Sequence, residues 1–341
     1  MKSQNIIFPS QGKVHVELQD VPPPQDREIL CKANVSLVSI GTETHCLRGI
    51  YDPGTYWEEY IQYPFAPGYS MAAVVVQLGP GVTKFKVGDR VTTWAPHAQY
   101  FIANQDHLVI VPEGIEDEEA IWATLARTTQ LGVRRAELAM GESACVVGLG
   151  ILGQLVTQYL ALCGVRHLIV IDTSQSRLDL AIKYGATHAI CLPAEDAIAE
   201  VEKTTDGKMV DVVFDITGFP SVLASASKFL RKLGRLVLLG DSPTPSKQSL
   251  GPRIVGNSIS ILGIHGFMFP ETETPFNMWT AENMTSLFFD YVQRKRMNVK
   301  GLLTHRCSPL DADEVYNSLA KKGDAVLGIA LDWEKLKNTE A

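Results

Sequence analysis

Residues 143–165 read SACVVGLGILGQLVTQYLALCGV, a short apolar run that breaks at Gly148-Leu149-Gly150-Ile151-Leu152-Gly153 and resumes at helical spacing. A strand, a glycine turn and a helix in that order make a cradle for a diphosphate. Gly148 permits the tight turn, Gly150 lets the main chain approach the phosphates, and Gly153 lets the helix pack on the strand. The helix opening adds N–H donors and a positive dipole end to the amides of Leu149, Ile151 and Leu152. Nineteen residues past Gly153 a second apolar strand, HLIVID, ends in Asp172. A carboxylate there accepts hydrogen bonds from adenosine ribose hydroxyls and repels a 2′-phosphate, which favours NAD(H) over NADP(H). Arg177, five residues on, either contacts the ribose or a phosphate or is a solvated helix residue, and it keeps NADP(H) use open. Thr217 and Gly218, closing VVFDITG, and Gly240, closing RLVLLG, stand where the nicotinamide half belongs, outside the carboxyl ends of parallel strands. The chemistry implied is hydride transfer; the plain alternative is that the glycines only shape a turn.

Such a cradle needs a sheet behind it. From 123 to 267 the chain alternates apolar strands (ACVVGL, HLIVID, HAICL, VDVVFDI, RLVLLG, ISILGI) with amphipathic stretches. Strands that are apolar throughout are covered on both faces, so this pattern predicts a doubly wound parallel sheet, a Rossmann domain. The segment before it differs. VHVEL, EILCKANVSLV, MAAVVVQLGPGV, GDRVTTW and QYFIANQDHLVIV are rich in β-branched residues at near-alternating spacing and are punctuated by Gly and Pro, which predicts an all-β half. A helical pattern over EDEEAIWATLARTTQLGVRRAEL leads from one half to the other. After 267 come helices around ENMTSLFFDYVQRKR and DADEVYNSLAKKG, a closing strand AVLGIALDW and a frayed KLKNTEA; this tail is expected to return to the first half. The fold class is therefore α/β, a Rossmann doubly wound sheet with a mainly β partner domain.

Composition narrows the function classes. At 341 residues the chain exceeds what one core usually supports, and 45% hydrophobic with 20% charged residues fits globular domains. A net charge of −7 offers no attraction to phosphate backbones or anionic lipid, so neither nucleic acid nor membrane is expected as a partner. No long apolar leader or span is seen, and a cytoplasmic placement is expected. Six scattered cysteines (Cys31, Cys46, Cys145, Cys163, Cys191, Cys307) contain no C-x-x-C and read as reduced thiols.

GTETHCLRG (41–49), PFAPGYSMAAVVVQLGPGV (64–82), FKVGDRV (85–91), the glycine loop with Asp172, and LLTHRCSPLDADEVY (302–316) together resemble the medium-chain dehydrogenase/reductase superfamily, which includes the zinc alcohol and polyol dehydrogenases. The resemblance spans essentially the whole chain. It implies a GroES-like catalytic domain over 1–122 and 268–341, a Rossmann domain over 123–267, a small-molecule substrate, and a homodimer or homotetramer. Zinc members carry a cysteine just before a G-T/S-D-x-H element, a G-H-E element, and a Cys or Glu ahead of the Rossmann domain. Here Ile40, the pair Tyr69 and Ser70, and Thr124 stand at those positions. Ile cannot coordinate a metal and Tyr and Thr are poor zinc ligands, so no catalytic zinc is expected. The four-cysteine lobe of many relatives is missing too, because GDRVTTWAPHAQYF passes directly from one strand to the next, and His97 and His107 lack a converging third group. GYSMAAVV, PHAQY and the zinc-less site most resemble the subgroup containing bacteriochlorophyllide a dehydrogenase, a likeness that does not extend to its substrate.

Without a metal, hydrogen-bond donors must stabilise the developing oxyanion and handle the hydroxyl proton. The resemblance assigns Thr42 and His45 to a proton relay. Tyr69, at a ligand position, is expected to donate to the substrate oxygen, since a phenol with pKa near 10 would need lowering to act as a base. Glu43 reads as a structural hydrogen-bond partner. Trp94 and His97 are expected to line the substrate cleft, while Trp57 and Tyr60 either shape its entrance or fix a loop. The leading reading is a zinc-independent, NAD(H)-dependent dehydrogenase interconverting a secondary alcohol (polyol, sugar-like or cyclic) with its ketone. Two others stay open: an NADPH-dependent quinone or enone reductase, against which Asp172 weighs, and a non-catalytic dinucleotide-binding redox sensor, against which Thr42 and His45 weigh.

Overall fold

A computed structural model describes residues 1–319 and 326–338, so the end of the DADEVYNSLAKKG segment and the last three residues lie outside the description. Two units form. The first takes Met1–Thr124, Thr285–Lys295 and the described residues from Val299 onward; the second takes Leu125–Met284 and Arg296–Asn298.

In the first unit, β1 (Lys2–Ile7) and β2 (His15–Asp20) form an antiparallel pair. Then come β3 (Glu28–Val38), α1 (Ile40–Arg48), α2 (Tyr56–Tyr60), β4 (Met71–Leu78), β5 (Arg90–Thr93), β6 (Tyr100–Asn104), β7 (Leu108–Ile110) and α3 (Asp117–Ala120). β3 is the central strand, antiparallel to both β4 and β6. Successive side chains leave a strand on opposite faces, so Ile29, Cys31 and Ala33 of β3 share one core with Met71, Ala73 and Val75 of β4. The segment GDRVTTWAPHAQYF crosses from β5 to β6 in six residues.

The second unit opens on α4 (Ala123–Arg135), whose first two residues still belong to the first unit. The continuous helical pattern of the sequence thus breaks into α3 and α4 at Ile121 and Trp122, both fully buried. There follow β8 (Ala144–Val147), α5 (Ile151–Leu162), β9 (Leu168–Asp172), α6 (Gln175–Lys183), β10 (His188–Cys191), α7 (Ile198–Thr204), β11 (Val210–Asp215), α8 (Pro220–Lys228), β12 (Leu230–Leu238) and β13 (Ser260–Gly263). All six strands are parallel, in the order β10-β9-β8-β11-β12-β13. The chain starts at the centre, winds outward through β9 and β10, then restarts beside β8 at β11. That reversal is the point at which doubly wound sheets open a crevice at their carboxyl edge. The unit extends past 267 because Trp279 packs under the Arg134 guanidinium, 3.1 Å from ring centroid to guanidinium carbon, and the Met284 carbonyl accepts from Gln130 Nε2 at 3.1 Å.

The chain then supplies α9 (Ala281–Gln293), β14 (Leu303–Cys307), α10 (Ala312–Leu319) and β15 (Gly328–Asp332). β15 lies antiparallel to β3, pairing Ile329 with Val38 and Asp332 with Val35, and β14 runs parallel to β15. The fold is thus a Rossmann domain with a mainly β, GroES-like domain. No helix among the described residues is long and apolar enough to cross a membrane.

Candidate active-site and coenzyme residues

β3 ends at Val38 and delivers Ser39 to the N-cap of α1. Ser39 does not cap with its own side chain; Glu43, in the first turn, returns its carboxylate to accept the Ser39 N–H at 2.8 Å. An anion there also meets the positive end of the helix dipole. The other oxygen of this buried carboxylate accepts from the Tyr316 hydroxyl and faces His97 Nε2 at 3.2 Å. His97 Nδ1 lies 2.8 Å from Ser36 Oγ, and Ser36 Oγ accepts from Trp333 Nε1 at 2.9 Å. A carboxylate only accepts, so His97 Nε2 is the nitrogen that donates to Glu43, while Ser36, able to donate or accept, meets Nδ1. Burial, then the Glu43 charge, holds the Tyr316 phenol well above its ordinary range.

His97 is admitted by Gly68. At φ +103° a Cβ on that residue would stand 2.7 Å from the His97 amide nitrogen and 2.8 Å from its ring, so only glycine leaves room. The next residue, Tyr69, is thereby brought to α1. Its hydroxyl donates to Ser39 Oγ and lies 3.2 Å from Thr42 Oγ1. Burial pushes the phenol up to about 12, against the lowering effect of its bonds to Ser39 and Thr42. At that value it is a neutral donor near pH 7, yet still more acidic than bulk water at about 15.7. His45 follows Thr42 by three residues on α1, half-buried, with its ring 5.4 Å from that of Trp57.

The structure joins Thr42 to Tyr69 but corrects the placement of His97. Its side chain is fully enclosed and both ring nitrogens are engaged, so it buttresses α1 instead of lining a cleft. Trp94, 42% exposed, stays accessible. Trp57 sits in the core, and Tyr60 stacks on Tyr56 and meets Phe65 edge-on, the loop-fixing alternative for these two aromatics. At the positions matched to zinc ligands, Ile40 packs against the core, Thr124 is buried, and Ser70 Oγ is buried without a hydrogen-bond partner. That set holds no thiolate, imidazole or carboxylate and does not fit Zn²⁺. Glu43 and His97 face each other, but among the described residues no group of three or more His, Cys, Asp or Glu side chains is placed to hold a metal.

In the second unit the glycine loop is shaped by contact. A Cβ on Gly148, at φ +90°, would press on Thr217 Cγ2 at 2.7 Å, and one on Gly153 would collide with the Gly148 carbonyl oxygen. At Gly150, the N-cap of α5, a Cβ would meet nothing within 4 Å. This is an open face beside the first-turn amides of α5, where Ile151 and Leu152 begin the helix, and it fits the diphosphate of a nicotinamide coenzyme. Leu149 N–H donates to Asp172 Oδ2 at 2.6 Å, and Ser174 N–H donates to Oδ1 at 2.9 Å. Each carboxylate oxygen keeps a second lone pair that can accept from a ribose hydroxyl. Arg177, half-buried on α6, offers its carbonyl to Gln154 Nε2 at 2.8 Å, tying α6 to α5. At the end of β11, Thr217 donates its N–H and its hydroxyl to Asp215 Oδ1 at 2.9 and 2.7 Å. Burial raises the Asp215 carboxyl against these bonds. Gly218 packs against the Asp241 carbonyl, and Gly240 against the Gly218 amide. The carboxyl ends of β8, β11 and β12 thus bring Gly148, Thr217, Gly218 and Gly240 together, with Asp172 on the β9 side.

Sequence reasoning passed over Ser39, Ser36, Tyr316, Trp333 and Asp215. Asp215 had a signal, an Asp two residues before Thr at a strand end, the spacing of an Asx-type turn. Ser39, directly ahead of a helix start, had an N-cap signal. The other three had none, since their partners lie far along the chain.

Residues 28–135 match the alcohol dehydrogenase GroES-like domain family, and residues 152–281 match the zinc-binding dehydrogenase family. Sorbitol dehydrogenase of Bacillus subtilis (strain 168) is 28% identical over 294 residues, 76% of this chain and 80% of its own. L-threonine 3-dehydrogenase of Pyrococcus furiosus is 27% identical over 92% of this chain and 94% of its own. The crystal structure of 2R,3R-butanediol dehydrogenase from Bacillus subtilis shares the fold with a TM-score of 0.80, at 21% identity over 97% of this chain and 99% of that one.

Proposed function

The chain belongs to the alcohol dehydrogenase-like medium-chain dehydrogenase/reductase superfamily and is an oxidoreductase of that type; from that premise we propose that it interconverts a secondary alcohol with its ketone using NAD(H) and no zinc. Polyol, sugar-like or cyclic alcohols are the proposed substrates, and the chain falls in the zinc-lacking branch. The observation that carries the reading is the hydroxyl chain of Thr42, Tyr69 and Ser39, set at a position matched to a zinc ligand.

When bound, the nicotinamide supplies the hydride acceptor or donor. In the direction of reduction, Tyr69 turns its proton from Ser39 to the carbonyl oxygen as that oxygen gains charge, and Thr42 stands 3.2 Å behind to replace it. One preorganised donor to an oxyanion is worth about 3 kcal/mol, so a single phenol does part of what a metal does. In the direction of oxidation the same hydroxyls carry the proton away. His45 is assigned its exit, because an imidazole exchanges protons near neutral pH. Glu43 and His97 keep α1, and with it Thr42, in place. Asp172 supports NAD(H), since a carboxylate facing a 2′-phosphate is repulsive.

The relatives named sorbitol, threonine and butanediol dehydrogenases support the alcohol-to-ketone class. A homodimer or homotetramer belongs to the same reading and is read by sedimentation. The deciding experiment is an absorbance screen at the NADH band with polyols, sugars, cyclic alcohols and their ketones. Turnover of a secondary alcohol is expected. Tight NADH binding without turnover of any of them would leave a sensor, and turnover confined to enones or quinones with NADPH would leave a reductase.

A further inference from the structure

Arg127 lies in the second turn of α4, within the second unit. It is half-buried, its Nε is shut off from solvent without a hydrogen-bond partner, and no acidic side chain among the described residues pairs with it. Its guanidinium carbon stands 5.8 Å from the centroid of Phe269. Burial alone brings the group down to about 10, so it remains a cation at neutral pH. Two other half-buried arginines meet carboxylates, Arg90 with Asp117 and Arg235 with Glu142. A cation held partly out of water with no anionic partner costs stability, and such groups gather at binding sites.

The neighbours of Arg127 locate it. Thr128, the next residue, packs on Gly266, and Phe269 follows three residues later; both come just after β13 ends at Gly263. The position is therefore at the carboxyl edge of the sheet, where ligands bind. β13 is three places from β8 in strand order. At about 4.8 Å per strand, β13 lies roughly 14 Å across the sheet from β8, whose end carries the Gly148 cradle.

We infer that Arg127 binds an anionic oxygen group, a carboxylate or a phosphate, carried by the substrate. A guanidinium offers a planar fork that matches either group with paired N–H donors, and the ring of Phe269 shelters it. The inference rests on the proposed function, which makes the second ligand the compound oxidised or reduced. It narrows the substrate from neutral polyols to hydroxy acids or phosphorylated polyols.

Calorimetry on the NADH-loaded enzyme, with oxalate and inorganic phosphate as probes, tests this without turnover. At least one probe binds the wild type. R127Q weakens it by about 30-fold, as expected for a charge-assisted hydrogen bond, and R127K, which keeps charge but not the fork, weakens it less. The unliganded R127Q protein melts no lower than wild type, because it sheds an unpaired charge. Kinetics then name the anion, with kcat/KM of R127Q falling for hydroxy acids or for polyol phosphates and not for neutral polyols. Equal probe affinity in wild type and R127Q overturns the inference. So does binding of neither anion by NADH-loaded wild type, or a loss of NADH affinity in R127Q equal to the loss for the probe. Failure of NADH to bind wild type at all is a different result, and it sinks the coenzyme reading itself.

Discussion

Leu149 donates its amide to the Asp172 carboxylate at 2.6 Å, so the side chain assigned to the adenosine ribose also fixes the loop assigned to the phosphates. Two substitutions separate these roles. D172N keeps an acceptor for only one of the Leu149 and Ser174 amides and loses the charge; it should bind NADH about tenfold more weakly, relax discrimination against NADPH, and melt below wild type but above D172G. D172G removes the acceptor and should also lower stability by about 1–3 kcal/mol. An NADH to NADPH affinity ratio unchanged in both variants removes Asp172 from the ribose.

Y69F deletes the proposed donor and leaves the ring. Turnover should fall by about 10²-fold while NADH affinity, measured by fluorescence titration, stays within about twofold. S39A, which removes only the resting acceptor of the Tyr69 proton, should cost less. Wild-type kcat in Y69F ends the assignment.

The pH dependence follows from the direction of the Tyr69 shift. A donor works in its protonated form, and that form is lost only as pH rises through about 12, above the ordinary phenol value. The ratio of wild-type to Y69F rates for ketone reduction should therefore be flat from about pH 7 to about pH 10. A tenfold drop in that ratio centred near pH 10 would mean that the phenol titrates at its unshifted value.

Breaking the buried group around Glu43 should be expensive. E43A leaves His97 Nε2, the Tyr316 hydroxyl and the Ser39 amide without their acceptor. A loss of about 3–5 kcal/mol in urea unfolding is expected. Stability within about 1 kcal/mol of wild type would show that water enters and replaces the carboxylate.

Zinc independence has its own measurement. Prolonged dialysis against a strong chelator should leave kcat unchanged, and elemental analysis should find far less than one zinc per chain. Activity lost on dialysis and restored by Zn²⁺ alone would refute the metal-free proposal.

What could be read from the sequence was local. The glycine loop, β8, β9 and Asp172 are specified within thirty residues by spacing alone, and the apolar alternation of β3 runs over the strand's full length. His97 was misplaced because a single imidazole in a loop has no period; its burial depends on the absence of a Cβ at Gly68 and on Ser36, from a different strand. Tyr316 and Trp333 were beyond local reasoning, since they reach α1 and β3 across nearly the whole chain. The break between α3 and α4 was hidden by a helical pattern that continues through Ile121 and Trp122. Arg127 carries no local signal, because what buries it comes from residues after β13, more than a hundred positions along the chain.

The pairing of β3 with β15 sets an order of events during synthesis. The strand made near the beginning waits for one made near the end, and Glu43 has no phenol to hold until residue 316 has left the ribosome. The nucleotide-binding portion is complete well before that, so it can close around its own sheet while its host still lacks an edge. A released chain ending at residue 300 should already retain NADH on an affinity resin, yet remain open to proteases within its first hundred residues.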